Sequence, residues 1–222
     1  MTVVATVGDE HDPTTGGSDV SAPTVPEKSV SSRADQWSLI QPPPEGCTAD
    51  DLDRRPDLPP HTELIDGSLV LVSPQKLFPM LVLKLLEREL DRQVPEHLLV
   101  AREFSVKLAK RQRPEPDLLL VRTDALDEFD QTWVLPSAVQ LAVEVVSPES
   151  EIRDRERKPE LYARAGIPHF WRVEQDGDEA VAYVHGLDPA SGRYGRPSIH
   201  RGVLKTTVPV DTEIDLAGLR GR

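Results

Sequence analysis

From residue 62 onward the apolar positions form short runs whose period switches between two and three to four, and each switch marks an expected element. Thr62-Glu63-Leu64-Ile65 and Ser68-Leu69-Val70-Leu71-Val72 flank Asp66-Gly67, the strongest short-range signal for a hairpin. Pro79 stands near a helix start, and Met80, Leu81, Leu83, Leu85, Leu86 and Leu90 predict a helix that is apolar on most sides and packed between other elements. Leu98, Val100, Phe104, Val106 and Leu108 recur at period two and predict one strand, with Arg102 interrupting its apolar face. Two further strands are expected at Leu118 to Val121 and Val139 to Val146. A polar helix around Arg155 to Ala165 closes at Gly166, and a strand follows from Ile167 to Val173. Residues 180 to 215 alternate short β-like runs with Gly and Pro. Upstream, Thr48 heads a capped single turn, Ala49-Asp50-Asp51-Leu52, ended by Pro56 and Pro59-Pro60. This order predicts an α/β or α+β sandwich with one mixed sheet, and no internal repeat interrupts it.

The pattern fails before residue 48, and composition explains why. The first 60 of the 222 residues hold 9 of the 21 prolines and a single aromatic, Trp37. Little there could offset the entropy of ordering the chain, so 1–47 reads as a disordered, proline-rich acidic tail ahead of a domain at 48–222. The net charge is −12, from 38 acidic and 26 basic side chains. Of this, −7 belongs to the first 60 residues, which carry 11 acids and 4 bases. The balance excludes a broad phosphate-binding coat but leaves room for a small basic-rimmed site. The single cysteine, Cys47, excludes internal disulfides and zinc sites built on paired cysteines, and is consistent with a reducing cytoplasm. The N-terminus lacks the layout of a secretory signal, and no apolar run approaches the ~20 residues needed to cross a bilayer.

Two acids sit where acids are expensive: Asp117 at the head of Leu118-Leu119-Leu120-Val121, and Glu144 within Val139 to Val146. A carboxylate in such a strand must be paired, hydrogen-bonded or bound to a cation. If the two strands are antiparallel neighbours, the start of one lies beside the end of the other and the two carboxylates meet. Converging carboxylates make a hard oxygen site suited to Mg²⁺ and to metal-assisted phosphodiester hydrolysis. Simple pairing with arginine, or a solvated strand end, is the plainer alternative for each acid. Asp154, Lys158 and Tyr162 follow at four-residue spacing, which places them on one helix face, although Pro159 implies that the helix begins close to Lys158. A lysine there could hold a phosphate or activate a water; among Arg153, Arg155 and Arg157 it could equally be a solvated cation. His61, His97, His169, His185 and His200 show no ligand spacing and fit ordinary structural or surface roles.

Taken in order, Thr48 to Leu52, Glu63-Leu64-Ile65-Asp66-Gly67, Ser73-Pro74, Pro116-Asp117, Val143-Glu144-Val145-Val146-Ser147-Pro148, Asp154, Lys158, Tyr162 and Gly166-Ile167-Pro168-His169-Phe170-Trp171 resemble the Uma2 family of restriction-endonuclease-like proteins, a branch of the PD-(D/E)XK nuclease superfamily. The resemblance spans 48 to about 219. It implies a restriction-endonuclease-like core with a mixed β-sheet flanked by helices, an N-terminal β-hairpin and a C-terminal β-rich segment. It also implies Asp117 and Glu144 as metal ligands, with Glu63 as an upstream acid of the same cluster. The superfamily lysine two residues after the glutamate is replaced by Val146, and its role is expected at Lys158 on the following helix. A histidine usual near the start of the first long helix is missing between Gln75 and Met80.

The expected activity is therefore a Mg²⁺-dependent endonuclease acting on DNA, with Mn²⁺ as a substitute ion and Asp117, Glu144 and Lys158 as catalytic residues. Lys107, Lys110, Arg111, Arg113 and Arg153 are the expected nucleic-acid contacts, because these basic residues bracket the acids in sequence. A cytoplasmic protein without membrane contact, and a homodimer suited to double-strand cutting, complete the expectation. The loss of lysine at Val146 motivates the alternative of a catalytically weak, nuclease-fold nucleic-acid-binding or assembly module. In a third reading the acids only make salt bridges within a structural or regulatory protein.

Overall fold

The computed structural model describes residues 46–55, 58–71 and 74–221; the tail expected at 1–47 lies outside these apart from Gly46 and Cys47. Helix α1 (Ala49–Arg54) is capped at Thr48, whose backbone N–H and hydroxyl both donate to Asp51 at 2.7 Å. Strands β1 (Thr62–Ile65) and β2 (Ser68–Leu71) form the expected hairpin. Its two turn residues both have positive φ, Asp66 at 55° and Gly67 at 79°, as the tight turn between twisted strands requires. Helix α2 (Leu77–Asp91) follows, and Val82, Leu83, Leu85, Leu86 and Leu90 are buried along it. It is more one-sided than expected, because Leu77 and Met80 remain exposed.

A sheet of seven strands forms the centre. Strands β3 (Leu98–Arg102), β5 (Leu118–Arg122), β7 (Val139–Val145), β8 (His169–Asp176), β9 (Glu179–Asp188) and β10 (Arg193–Tyr194) lie in the order β10-β9-β8-β7-β5-β3. Strand β11 (Ser198–Arg201) also pairs with β9. β5 and β7 are antiparallel neighbours, with Leu118 opposite Val143. β7 and β8 are parallel, so a crossover must join them. That crossover holds helix α3 (Lys158–Arg164), and the sheet is mixed, as the residue pattern predicted. Two further strands, β12 (Val203–Thr206) and β13 (Thr212–Asp215), form a separate pair.

Two expectations are corrected. The run from Leu98 to Leu108 is not one strand: Glu103 takes φ 50°, and the chain leaves the sheet to form β4 (Ser105–Val106), which pairs in parallel with β6 (Trp133–Val134). Period two continues across the break, so the pattern concealed it. The helix also starts before Lys158. Residues 151–152 are helical, and a wide turn at Arg153–Arg157, in which the Lys158 N–H bonds the Arg153 carbonyl five residues back, leads into α3. Proline lacks an N–H and crowds the carbonyl four residues back, and a widened turn just ahead of Pro159 absorbs both defects.

The two faces of the sheet differ. On one, Leu118, Leu120, Leu141, Val143, Val145 and Trp171 pack with α2 into a wholly apolar cluster. On the other, Leu119, Ala142 and Phe170 meet Tyr162 of α3. Because side chains alternate along a strand, Glu144 points to this second face, as does Asp117 by its place before Leu118 and Leu119. No helix among the described residues is long and apolar enough to cross a membrane.

Candidate active site

Three elements bring acids to the second face. Glu144 comes from the middle of the sheet on β7, and Asp117 from the chain entering β5, where its Oδ2 accepts the Val145 N–H at 2.7 Å. That bond ties Asp117 to the peptide following Glu144, so the antiparallel register expected from the sequence does bring the two acids to one place. Glu63 arrives from the hairpin. Backbone bonds between Leu64 and Arg113 hold β1 against the next layer, at 3.0 Å and 2.7 Å. Arg157 of the wide turn holds the hairpin tip through Asp66, with Nε 2.8 Å from Oδ2.

The wide turn and α3 supply the rest. Asp154 and Lys158 are 2% and 5% exposed, and both point toward Glu144. Lys158 Nζ lies 2.9 Å from Glu63 Oε1, 3.0 Å from Glu144 Oε2 and 3.6 Å from Asp154 Oδ1. Tyr162, one turn on, donates its hydroxyl to the other Glu144 oxygen at 2.5 Å. The Glu115 N–H fixes Glu63 Oε1 at 2.9 Å. Every oxygen of Glu144 is therefore directed, and Lys158 bridges three elements of the fold.

One ammonium cannot neutralise four carboxylates in so little water. Burial, opposed by Lys158 and by the Val145 N–H, pushes the Asp117 carboxyl up to about 7. Burial likewise raises Glu144 well above the usual carboxylate range, with Lys158 pulling the other way, and raises Asp154. Burial alone would lower Lys158, but Glu144, Glu63, Asp154 and Asp117 outweigh it and hold the ammonium charged.

These groups line a cavity of about 550 Å³ with Asp117, Glu144, Glu63, Asp154 and Lys158 on its walls. Gln75, Lys76, Ser147 and Arg153 also line it, together with His61. The His61 ring faces Glu115 at 2.6 Å, and that hydrogen bond raises its pKa. Among the described residues no three His, Cys, Asp or Glu side chains are drawn into a ligand cage; the Lys158 ammonium stands between the carboxylates instead. The donors nevertheless fit a hard divalent cation: all are carboxylate oxygens, Asp154 Oδ1 is buried without a hydrogen-bond partner, and the surplus negative charge lies against the cavity.

The expected nucleic-acid contacts divide sharply. Arg153 lines the cavity, and its buried Nε has no hydrogen-bond partner. The other four do not line it. Arg113 is 4% exposed and binds Asp53 at 2.5 Å and the Ala49 carbonyl at 3.1 Å. Lys107 pairs with Asp50 and lies 4.6 Å over the Trp133 ring. Arg111 packs against Gly67, where an added Cβ would collide with its guanidinium, and donates to the Asp66 carbonyl at 3.0 Å. Lys110 is exposed, and its carbonyl accepts the Ala49 N–H at 2.8 Å. This segment clamps α1 and the hairpin, so proximity in sequence to Asp117 did not mean proximity to the cavity.

Sequence reasoning gave Asp154 a helix face but no place among the metal ligands, and missed Glu115 altogether. The four-residue spacing of Asp154, Lys158 and Tyr162 was the available signal for the first. The second acid in Pro114-Glu115-Pro116-Asp117 was the signal for the other.

The model of the Uma2 family, described as "Putative restriction endonuclease", matches residues 49–216. The fold is similar to the crystal structure of "a putative nuclease belonging to DUF820" from Anabaena variabilis ATCC 29413, with a TM-score of 0.62 and 13% identity over 78% of this chain and 97% of that one. No curated protein matches the sequence.

Proposed function

The chain belongs to the Uma2 "Putative restriction endonuclease" family, and from that premise we propose that its acidic cavity hydrolyses DNA phosphodiester bonds with the help of Mg²⁺. The observation that carries this reading is the convergence of Glu144, Glu63 and Asp154 on one buried ammonium, with Asp117 lining the same open cavity. Asp117 and Glu144 would hold the ion, with Glu63 or Asp154 Oδ1, which accepts no hydrogen bond among the described residues, completing the set. When bound, Mg²⁺ supplies Lewis acidity toward the phosphate and favours ionisation of a water.

The chain's own residues do the rest. Tyr162 and Lys158 each fix one oxygen of Glu144, and the oxygen held by Lys158 would share its remaining lone pair with a cation. Lys158 places a permanent charge where Val146 cannot, and offsets negative charge on the phosphate. Arg153, whose buried Nε has no hydrogen-bond partner among the described residues, suits a phosphate oxygen of the strand. A supercoiled-plasmid assay tests the reading. Mg²⁺-dependent nicking by the wild type that is lost with Glu144→Ala and with chelator is expected, and equal nicking by both proteins defeats the assignment.

A further inference from the structure

The wide turn and α3 present a second set of side chains to a different cavity, of about 530 Å³, which shares no lining residue with the acidic one. Arg155 and Arg164 come from this helical segment, Arg172 from β8, and Arg193 from the start of β10, with Glu160 the one carboxylate lining it among the described residues. In a chain of net charge −12, four guanidinium groups around one concavity are a marked reversal of sign.

Two carboxylates are each shared between arginines, and Arg155 also pairs with Glu151. Glu174 serves both Arg155, through Nε at 3.1 Å, and Arg172 at 2.6 Å. Glu160 serves both Arg164 and Arg157, each at 2.6 Å. Arg193 has no ion-pair partner among the described residues, and His185, which also lines the cavity, has a buried Nε2 without a hydrogen-bond partner. Gly192 and Gly195 border the space. Tyr194 and His185, with ring centroids 6.1 Å apart, form its aromatic side.

We propose that this cavity is a phosphoryl-binding site, distinct from the acidic cleft, with Arg193 as its principal contact and Arg164, which is paired with Glu160, as a second cation beside it. Guanidinium groups bind phosphate oxygens through paired, charge-assisted hydrogen bonds, and a planar fork unencumbered by a carboxylate is the group that does so at least cost. The phosphoryl group could come from a nucleic-acid backbone or from a free phosphorylated molecule.

Calorimetry with inorganic phosphate, and fluorescence anisotropy with a labelled DNA duplex in the absence of divalent ions, separate these sources. The wild type is compared with Arg164→Ala/Arg193→Ala and with Arg193→Glu alone; both positions are exposed, and circular dichroism verifies the fold. Saturable phosphate binding that weakens about tenfold in the variants supports the site and a free ligand. Duplex binding that weakens about tenfold, with a shallower salt dependence and no phosphate heat, supports the site and the strand backbone. Neither phosphate nor duplex binding changing in either variant overturns it. Because no cleavage is measured, the result stands apart from the fate of the nuclease reading.

Discussion

The same strand faces two different chemical worlds. On the α2 side of β7, Val143 and Val145 join an apolar cluster in which Leu118, Leu120, Leu141 and Trp171 are fully buried. On the α3 side, between them, Glu144 is 1% exposed and held by an ammonium and a phenol. The first face stabilises by removing apolar area from water and by close packing. The second carries an ionic cluster that stability alone does not call for, since well-packed apolar residues usually serve as well as a buried ion network or better. It is on this face, where Glu63, Glu144 and Asp154 surround one lysine, that the proposed cation site rests.

That contrast can be broken in graded steps. The largest effect is expected from Glu144→Gln, which keeps shape but removes charge: Mg²⁺-dependent plasmid cleavage should fall about 10³-fold, equivalent to about 4 kcal/mol of transition-state stabilisation. Thermal unfolding should change far less, because the hydrogen bonds of Glu144 have a neutral counterpart. Lys158→Met should do the reverse in the metal-free protein. It leaves buried carboxylates without their cation and should cost about 3–5 kcal/mol in denaturant unfolding, partly restored by added Mg²⁺.

Next comes the apolar face. Leu141→Ala opens a cavity beneath α2 and should cost roughly 3 kcal/mol of stability while the cleavage rate at permissive temperature stays within about twofold. A comparable loss of activity would show that the two faces are coupled more tightly than their chemistry implies.

A pH series sharpens the account further. Asp117 titrates near 7 in the fold, above the ordinary value of 3.8, so its proton stabilises the metal-free protein. That contribution is present below about pH 4 and is lost as pH rises through about 7. Melting temperature without divalent ion should therefore fall across that window, and Asp117→Asn should flatten the fall. Proton and cation compete for the same oxygens, so apparent Mg²⁺ affinity should rise with pH through about 7. The smallest effect belongs to the hairpin tie: Arg157→Ala should cost under about 1 kcal/mol, since the Asp66 pair is largely solvated.

Much of this was legible in the sequence, and the residues show why. Asp66-Gly67 dictated a turn, and period-two runs dictated β5 and β7. An acid inside each run demanded a partner, which the antiparallel register supplied. Local patterns were blind to the direction in which the chain turns. Glu103 bends it out of the sheet without disturbing the alternation of Leu98 to Leu108. Pro159 spoke for a helix start, yet a wide turn let the helix run through it and aimed Asp154 inward beside Lys158. The basic run at Lys107 to Arg113 was read by charge alone, whereas its use as a clamp on α1 depends on Asp50, Asp53 and Ala49, more than 50 positions away in the chain for each of its ion pairs. Strand register brings the acids together, whereas the bases of the 107–113 loop, near Asp117 in sequence, lie outside the cavity.

The central claim, that the carboxylates of the α3 face form a divalent-cation site, is tested most directly by calorimetric titration of the metal-free protein with Mn²⁺ at pH 8. The account predicts saturable binding by the wild type and its loss in Asp117→Asn/Glu144→Gln with the fold intact. No binding heat in the wild type, or undiminished binding by the double variant, would contradict it.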